Sequence, residues 1–478
     1  MTFLPSTRLL WLVLAIALLA IPAGPQPALA PLWMSALAIV FAAALVDLAL
    51  SLRNAAAKMP AVSAPEITRF SKDRAGAIPL RFNNPTAEKR ATQFRFALGL
   101  PASFAAPRAE AWITLPAGAE HAHIDWTCTP TRRGRFTGAL ACCETGSRLG
   151  LWRLRARTAL ACELRVYPNV FSERRQMAAI FLNRGQFGAK LQRTVGRGRE
   201  FEKLREYLPG DGFDEIHWKA TAKRGYPVTK VFQAERTQEI YVVIDMSRLS
   251  GRLVTSPGRA ASPKPPKISQ DARGGFGGTT LPPPENVTQT VLERYLTAAL
   301  VLLLAAQKQG DRFGVIAYDD RVRVSLRAGN GAAHYAACRE ALHALQPAEV
   351  TPDMAEVTRH LRMHLRRRAL LFFLTDLSDP VLAEDFARHA PLLARQHLML
   401  VSQLRGEGVA RLFTGAEVAA GMDADLYAKL AGHMRWDEMR LLMRTLKQQG
   451  IAAAVLEDES FAANLVTQYL QVKRRQVL

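Results

Sequence analysis

The sequence predicts a doubly wound α/β domain in its C-terminal half, preceded by a small all-β domain and two apolar N-terminal segments. Three observations carry this reading. Ile240–Ile244 and Ala369–Thr375 are unbroken apolar runs that end at acids, Asp245 and Asp376, as strands buried on both faces of a parallel sheet do. Strand and helix patterns alternate from Gln238 to the C-terminus, which implies helices on both sides of one sheet. Between about residues 60 and 170, short segments with a period of two recur between turn signals.

The chain has 478 residues, enough for about three domains. Apolar residues make up 49%, and 63 Lys plus Arg against 42 Asp plus Glu leave a net charge of +21. Such a balance suits anionic lipid, nucleic acid or an acidic partner. A nucleic-acid role lacks the interleaved aromatic residues that stack bases. The five cysteines, Cys128, Cys142, Cys143, Cys162 and Cys338, show no C-x-x-C spacing. They fit reduced thiols in a cytosolic compartment rather than a secreted disulfide scaffold.

Leu9–Ala20 and Leu32–Leu52 are apolar, joined by the uncharged, Pro-rich turn Ile21–Pro27. The second is long enough to span a bilayer. The first is short, with Arg8 before it and Ala28-Leu29-Ala30 after it in the manner of a signal peptide, although Pro31 argues against cleavage. Arg53, Lys58, Arg69, Lys72 and Arg74 follow the second segment and place the body on the cytoplasmic side of the membrane. Asp47 is either a polar site within the membrane or an interfacial residue near the helix end, and the latter is expected.

The all-β region, residues 59–170, alternates at Phe94, Phe96, Leu98 and again at Ala122, Ile124, Trp126, Cys128. A small immunoglobulin-like sandwich accounts for that spacing. His121 and His123 share a strand face, but without a third ligand nearby a solvated face is expected. Gly196 and Gly198 form a lone G-x-G, read as a flexible turn and not as a phosphate cradle.

In the C-terminal half, Ile240–Asp245 is the first strand and Val287–Lys308 a helix stopped by Gly310. Phe313–Tyr318 and Val322–Leu326 make a hairpin around Asp319-Asp320-Arg321, which forms one antiparallel edge. Ala332–Leu345, Met354–Arg366, Val381–Arg395, Ala424–Gln449 and Phe461–Lys473 are helical. Ala369–Thr375, His397–Val401 and Ile451–Leu456 complete the strands. Gly251–Glu285, rich in Pro, Gly and Ser, is expected to be a disordered insertion.

Residues 171–237 carry the most specific pattern. Leu204, Arg205, Tyr207, Pro209, Gly210, Asp211, Ile216 and Trp218, then Lys223 and Arg224, run into the Asp245 strand. This stretch resembles the bacterial domain-of-unknown-function family 58, with His217 where that family usually carries Asp. The resemblance continues through Arg132-Arg133-Gly134-Arg135-Phe136, Leu149-Gly150-Leu151-Trp152 and Val166-Tyr167-Pro168. In that family the connection at 251–285 is usually short. Two readings of the signature are open. Arg205 and Asp211 clamp the loop onto the sheet with Trp218 packed beneath, or Arg205, Asp211, Lys219 and Arg224 form a recognition surface. The first is expected.

Ligands of open α/β sheets collect at the carboxyl ends of the strands. There Asp245, Ser247, Thr351 and Asp376 are candidate ligands for a hard cation such as Mg²⁺. The set is similar to the adhesion site of the von Willebrand factor A fold, D-x-S-x-S followed by a later Thr and Asp. Leu249 takes the third position and cannot ligate, and Ser250 is out of step by one. The alternative is that Asp245, Ser247 and Thr351 cap helices and loop amides. The resemblance implies a membrane-anchored, noncatalytic scaffold presenting a von Willebrand factor A-like domain to a MoxR-type AAA+ ATPase, in assembly or maturation of protein complexes. The chain itself shows no P-loop. A competing reading is a membrane-bound metal-dependent hydrolase, which needs a general base that only the lone His334 or His360 could supply.

Overall fold

Uncharged aliphatic runs become helices wherever backbone groups must bond within their own segment, and the first two helices of the chain follow that rule. The computed structural model describes residues 2–23, 30–53, 59–83, 92–116, 121–171, 195–208, 212–213, 216–233, 238–257, 286–406, 408–409 and 426–475. The chain divides into two units, Met1–Asn169 and Val170–Leu478.

In the first unit, strand β1 (Thr2–Pro5) precedes helices α1 (Thr7–Ala23) and α2 (Ala30–Arg53), which pack on each other. Trp33–Arg53, 21 residues with mean hydropathy 2.2, is long and apolar enough to cross a membrane; the apolar part of α1, Thr7–Leu18, is shorter. Eleven strands follow: β2 (Ala61–Ser63), β3 (Ile67–Ser71), β4 (Gly76–Asn83), β5 (Thr92–Gly99), β6 (Phe104–Ala105), β7 (Ala111–Leu115), β8 (His121–Pro130), β9 (Gly134–Phe136), β10 (Leu140–Gly146), β11 (Trp152–Ala159) and β12 (Glu163–Tyr167). They form sheets in the orders β1-β11-β10-β5-β7, β2-β4-β8-β6 and β3-β12-β9. Ile78, Leu80 and Phe82 of β4 share one core with Phe94, Phe96 and Leu98 of β5. Phe82 meets Phe94 and Phe96 with ring centroids 5.5 and 5.0 Å apart. His121 and His123 lie exposed. The Cys143 thiol is pushed up to about 12, chiefly by burial, which leaves it unreactive.

Asp47, near the end of α2, is held by the turn Ser147–Leu151. It is fully buried and accepts hydrogen bonds from Ser147 Oγ (2.5 Å), Leu149 N (3.0 Å) and Leu151 N (3.3 Å). Trp152 Nε1 donates to the Ala44 carbonyl one turn earlier at 2.8 Å, and Leu9, Ala44 and Leu151 close a small apolar cluster. The Leu149–Trp152 motif is therefore a clasp on α2. A carboxylate in an apolar helix is stable there because the turn's amides replace water.

The second unit begins with an antiparallel ribbon, β13 (Val195–Glu206) and β14 (Val228–Gln233), spanned by the short helix α3 (Trp218–Arg224). Gly196 and Gly198 lie inside β13, where the register shifts between Val195 and Glu200. That bulge replaces the expected flexible turn. The remaining elements are β15 (Glu239–Asp245), β16 (Leu253–Pro257), β17 (Asn286–Thr290), α4 (Val291–Lys308), β18 (Arg312–Tyr318), β19 (Val322–Gly329), α5 (Gly331–His343), α6 (Met354–His364), β20 (Leu370–Leu374), α7 (Pro380–Ala394), β21 (Leu398–Leu404), α8 (Leu426–Gln448), β22 (Ala452–Leu456) and α9 (Phe461–Arg475).

The six-stranded sheet has the order β19-β18-β15-β20-β21-β22, parallel except for β19, which pairs antiparallel with β18. Alternate residues of β15 feed opposite faces. Ile240, Val242 and Ile244 join the core under α4, α5 and α9. Tyr241 and Val243 join the core under α6 and α7. This double covering is why the strand sequences read as continuous apolar runs. Gly310 ends α4 at φ 76°, a conformation that favours glycine.

Two boundaries move. Gly251–Pro257 is ordered, because β16 pairs antiparallel with β17 and Val254 packs on the core. The helix that follows accordingly starts at Val291, capped by Thr290, whose Oγ1 accepts from Glu293 N at 3.2 Å. The rest of the expected insertion, 258–285, lies outside the described residues.

Candidate site at the switch point of the sheet

Strand order reverses between β15 and β20, and a crevice opens at the carboxyl ends of strands at such a point. Asp245 ends β15 and Asp376 follows β20 by two residues. Asp245 is 1% exposed. Its Oδ1 accepts from Ser247 N at 2.8 Å and its Oδ2 from Thr375 Oγ1 at 2.8 Å. Burial raises its pKa above the usual carboxylate range; the bonds from Ser247 and Thr375 oppose that shift, and the charge of Asp376 adds to it. Two buried tyrosines, Tyr318 and Tyr295, stand near enough to feel these charges. Burial raises both phenols, followed for Tyr318 by Asp245 and for Tyr295 by Asp376.

Ser247 Oγ is fully buried and makes no hydrogen bond. The next hydroxyl, Ser250 Oγ, donates to the Ser247 carbonyl at 2.7 Å and closes a 3-10 turn over Arg248–Gly251. It is thereby turned away from the acids. Leu249, half-buried in that turn, brings no oxygen. Thr351 is exposed in the loop before α6. That loop is pinned beside the site by Ala348 N to Met246 O (2.8 Å) and Arg248 N to Val350 O (3.0 Å).

Arg252 is the residue that sequence reasoning missed. Its Nη1 donates to Asp376 Oδ2 and to Ser378 Oγ, both at 2.8 Å. Asp376 Oδ1 in turn accepts from Gln403 Nε2 (2.9 Å) and Ser378 N (3.0 Å). Arg252 lies only seven positions after Asp245, yet composition assigns it to the insertion Gly251–Glu285. Its partner lies 124 residues away, so no local pattern marks the pair.

Mg²⁺ fits this donor set in part. Two carboxylates and the orphaned Ser247 hydroxyl favour a cation, whereas a guanidinium already holds Asp376. Among the described residues, no group of three or more His, Cys, Asp or Glu is placed to hold a metal. A pocket of about 660 Å³ opens beside Arg252 and Asp376, walled by α7 and α8 residues including Ala383, Leu442 and Thr445.

The signature residues separate from this site. Pro209, Gly210 and Asp211 lie outside the described residues, and with them the Arg205–Asp211 clamp. Tyr207 stacks on Phe213 with centroids 6.3 Å apart. Trp218 is 68% exposed and not packed beneath the loop. Ile216 and Val228 take the buried positions there, and α3, a helix of seven residues, buries none of its own. His217 does the work of an N-cap, its Nδ1 accepting from Ala220 N at 3.0 Å, a role Asp also fills well.

Fold and site together define an α/β protein with two internally hydrogen-bonded acids at the switch point, on a chain that has, among the described residues, one helix long and apolar enough to span a membrane. Residues 203–253 and 286–415 match the family described as protein of unknown function DUF58, and the two matched blocks leave out 254–285. No curated protein matches the chain. Among solved structures it is similar to BatB, a conserved hypothetical protein of Bacteroides thetaiotaomicron (11% identity, 50% of this chain and 99% of that one, TM-score 0.28). It is also similar to an aerotolerance-related membrane protein of Bacteroides fragilis (13%, 49% and 98%, 0.27). A third is proximal thread matrix protein 1 of the mussel byssus with a zinc-occupied MIDAS motif (14%, 36% and 36%, 0.21). Overlaps at this level bear no argument about chemistry, and the doubly wound topology stands on the strand order itself.

Proposed function

We propose that the chain is a membrane-anchored, noncatalytic scaffold with an immunoglobulin-like β domain, and that its von Willebrand factor A-like domain docks a protein partner at the switch point. The observation that carries this is the wiring of the two acids. Each carboxylate is held by fixed internal donors, Ser247 N and Thr375 for Asp245, Arg252, Ser378 and Gln403 for Asp376. Groups so held suit a rigid recognition surface better than a proton shuttle. A MoxR-type AAA+ ATPase is the proposed partner, with the body in the cytoplasm of the inner membrane where ATP is present.

A cation belongs to the proposal as a weak ligand. Asp245, Ser247, Thr351 and Asp376 would hold Mg²⁺, which would offer an open position to a partner's carboxylate. Leu249 withholds one ligand and Arg252 competes for another, so affinity rises as either is relieved and most when both are. Calorimetry of the full chain with Mg²⁺ and Mn²⁺ tests this: Leu249→Ser with Arg252→Ala binds measurably more tightly than wild type. The partner reading is tested by capture of the co-expressed ATPase on wild type and Asp376→Ala. Equal capture by both refutes docking at the switch point.

A further inference from the structure

Away from the switch point, α6 and the segment after it concentrate positive charge. From Met354 to Ala369 there are five arginines, 359, 362, 366, 367 and 368, against one acid, Glu356. All five are exposed. Basic residues in the last turn of a helix offset its dipole, which accounts for Arg362 and His364 in part. It does not account for what lies beside them. A groove of about 440 Å³ runs between α6 and α7, and Arg359, Arg362, Thr358, His389, Met363 and Leu392 line it.

Thr358 points to a ligand. It is 4% exposed, and its Oγ1 is buried without a hydrogen-bond partner. A hydroxyl removed from water and left unpaired costs about 1–3 kcal/mol, and in a helix it ordinarily bonds the carbonyl one turn back. Here no such bond forms, and Thr358 is one of the residues that line the groove. The donors around it are incompletely used. Arg359 holds Glu356 through Nε at 3.0 Å and Nη2 at 2.5 Å, while Nη1, at 3.9 Å from the Met363 sulfur, is left for a further acceptor. His389 places Nδ1 within 2.9 Å of the Asp385 carbonyl and 3.2 Å of the Asp385 carboxylate, which leaves Nε2 as the ring's other nitrogen. Met363, 62% exposed, and Leu392 add an apolar side.

We infer that the α6–α7 groove is a phosphate site, in which Arg359, Arg362 and the Thr358 hydroxyl hold an anionic phosphoryl group whose organic part lies on Met363 and Leu392. A guanidinium fork matches phosphate oxygens, and a hydroxyl completes a shell that arginine donors leave open. The same chemistry comes from a phospholipid headgroup or from free phosphate, and Arg366–Arg368 add charge of the kind anionic headgroups attract.

The test uses the full chain in nanodiscs, with hydrogen exchange of residues 355–363 as the readout. In phosphatidylcholine discs, added inorganic phosphate slows exchange in this segment. Arg362→Gln weakens the apparent phosphate affinity roughly tenfold and Thr358→Val about fivefold, as loss of one charge-assisted or one neutral bond implies. Phosphatidylglycerol discs that slow exchange without added phosphate assign the site to a lipid headgroup. Slowing by phosphate alone assigns it to a soluble phosphate. No slowing by either, or an unchanged response in Arg362→Gln, overturns the inference. Arg362 is exposed, so its replacement leaves folding intact even where Thr358→Val repacks the helix.

Discussion

Arg252→Ala is the sharpest test of the switch-point geometry. The substitution removes two 2.8 Å bonds, to Asp376 Oδ2 and Ser378 Oγ, and leaves Asp376 to Gln403 and the Ser378 amide. The Asp376 side chain is 8% exposed but that of Arg252 is 43% exposed. The pair therefore falls between a surface bridge worth about 0–1 kcal/mol and a buried one whose breakage costs about 3–5 kcal/mol. About 1–2 kcal/mol is expected, a fall in thermal midpoint of roughly 2–3 °C for the unit Val170–Leu478. The assay is a double-mutant cycle of Arg252→Ala and Asp376→Ala by thermal unfolding at low and high salt. The coupling is about 1–2 kcal/mol and shrinks as salt screens the exposed guanidinium. Mg²⁺ then raises the midpoint of Arg252→Ala more than that of wild type, because binding to the native state alone stabilises it. Additive single losses, together with equal responses to Mg²⁺, refute the idea that Arg252 stands where a cation would.

Asp245 gives a pH signature. Its carboxyl is raised by burial, so the native state keeps the proton longer than the unfolded chain. Stability from this group is full below the ordinary carboxylate pKa and falls as pH rises toward the higher native value. Asp245→Asn should gain stability relative to wild type over that rise, and a difference independent of pH in chemical denaturation refutes it. Asp47→Ala strips the acceptor from Ser147 Oγ and two turn amides, costing about 2–4 kcal/mol. Faster proteolysis within 147–152 in detergent reports it, and unchanged cleavage counts against the clasp. Trp218→Ser removes an exposed side chain and should shift stability by less than about 0.5 kcal/mol; a large drop in midpoint would mean that Trp218 packs. A reporter fused after Leu478 is active only in a cytoplasmic format, and periplasmic activity removes the ATPase reading.

The strands of the sheet were legible because both of their faces are buried. Ile240–Ile244 and Leu370–Leu374 admit no polar residue, so a short window of sequence suffices to find them. Their terminal acids were legible for the same reason, since Asp245 and Asp376 stand where the apolar runs stop. The hairpin Arg312–Gly329 and helices α4 to α9 follow from local period, stop signals and caps. What those acids bind was not legible. Asp376 is neutralised by Arg252 from a turn that local composition assigns to disorder, and Asp47 is satisfied by a turn about 100 residues downstream. Trp218 shows the converse, an apolar residue in a strong motif left in water because Ile216 and Val228 fill the space beneath. Local sequence dictates backbone periodicity and which faces must be covered. Which donor reaches a buried charge depends on chain crossings that bring distant residues within 3 Å, and the tertiary structure alone decides those.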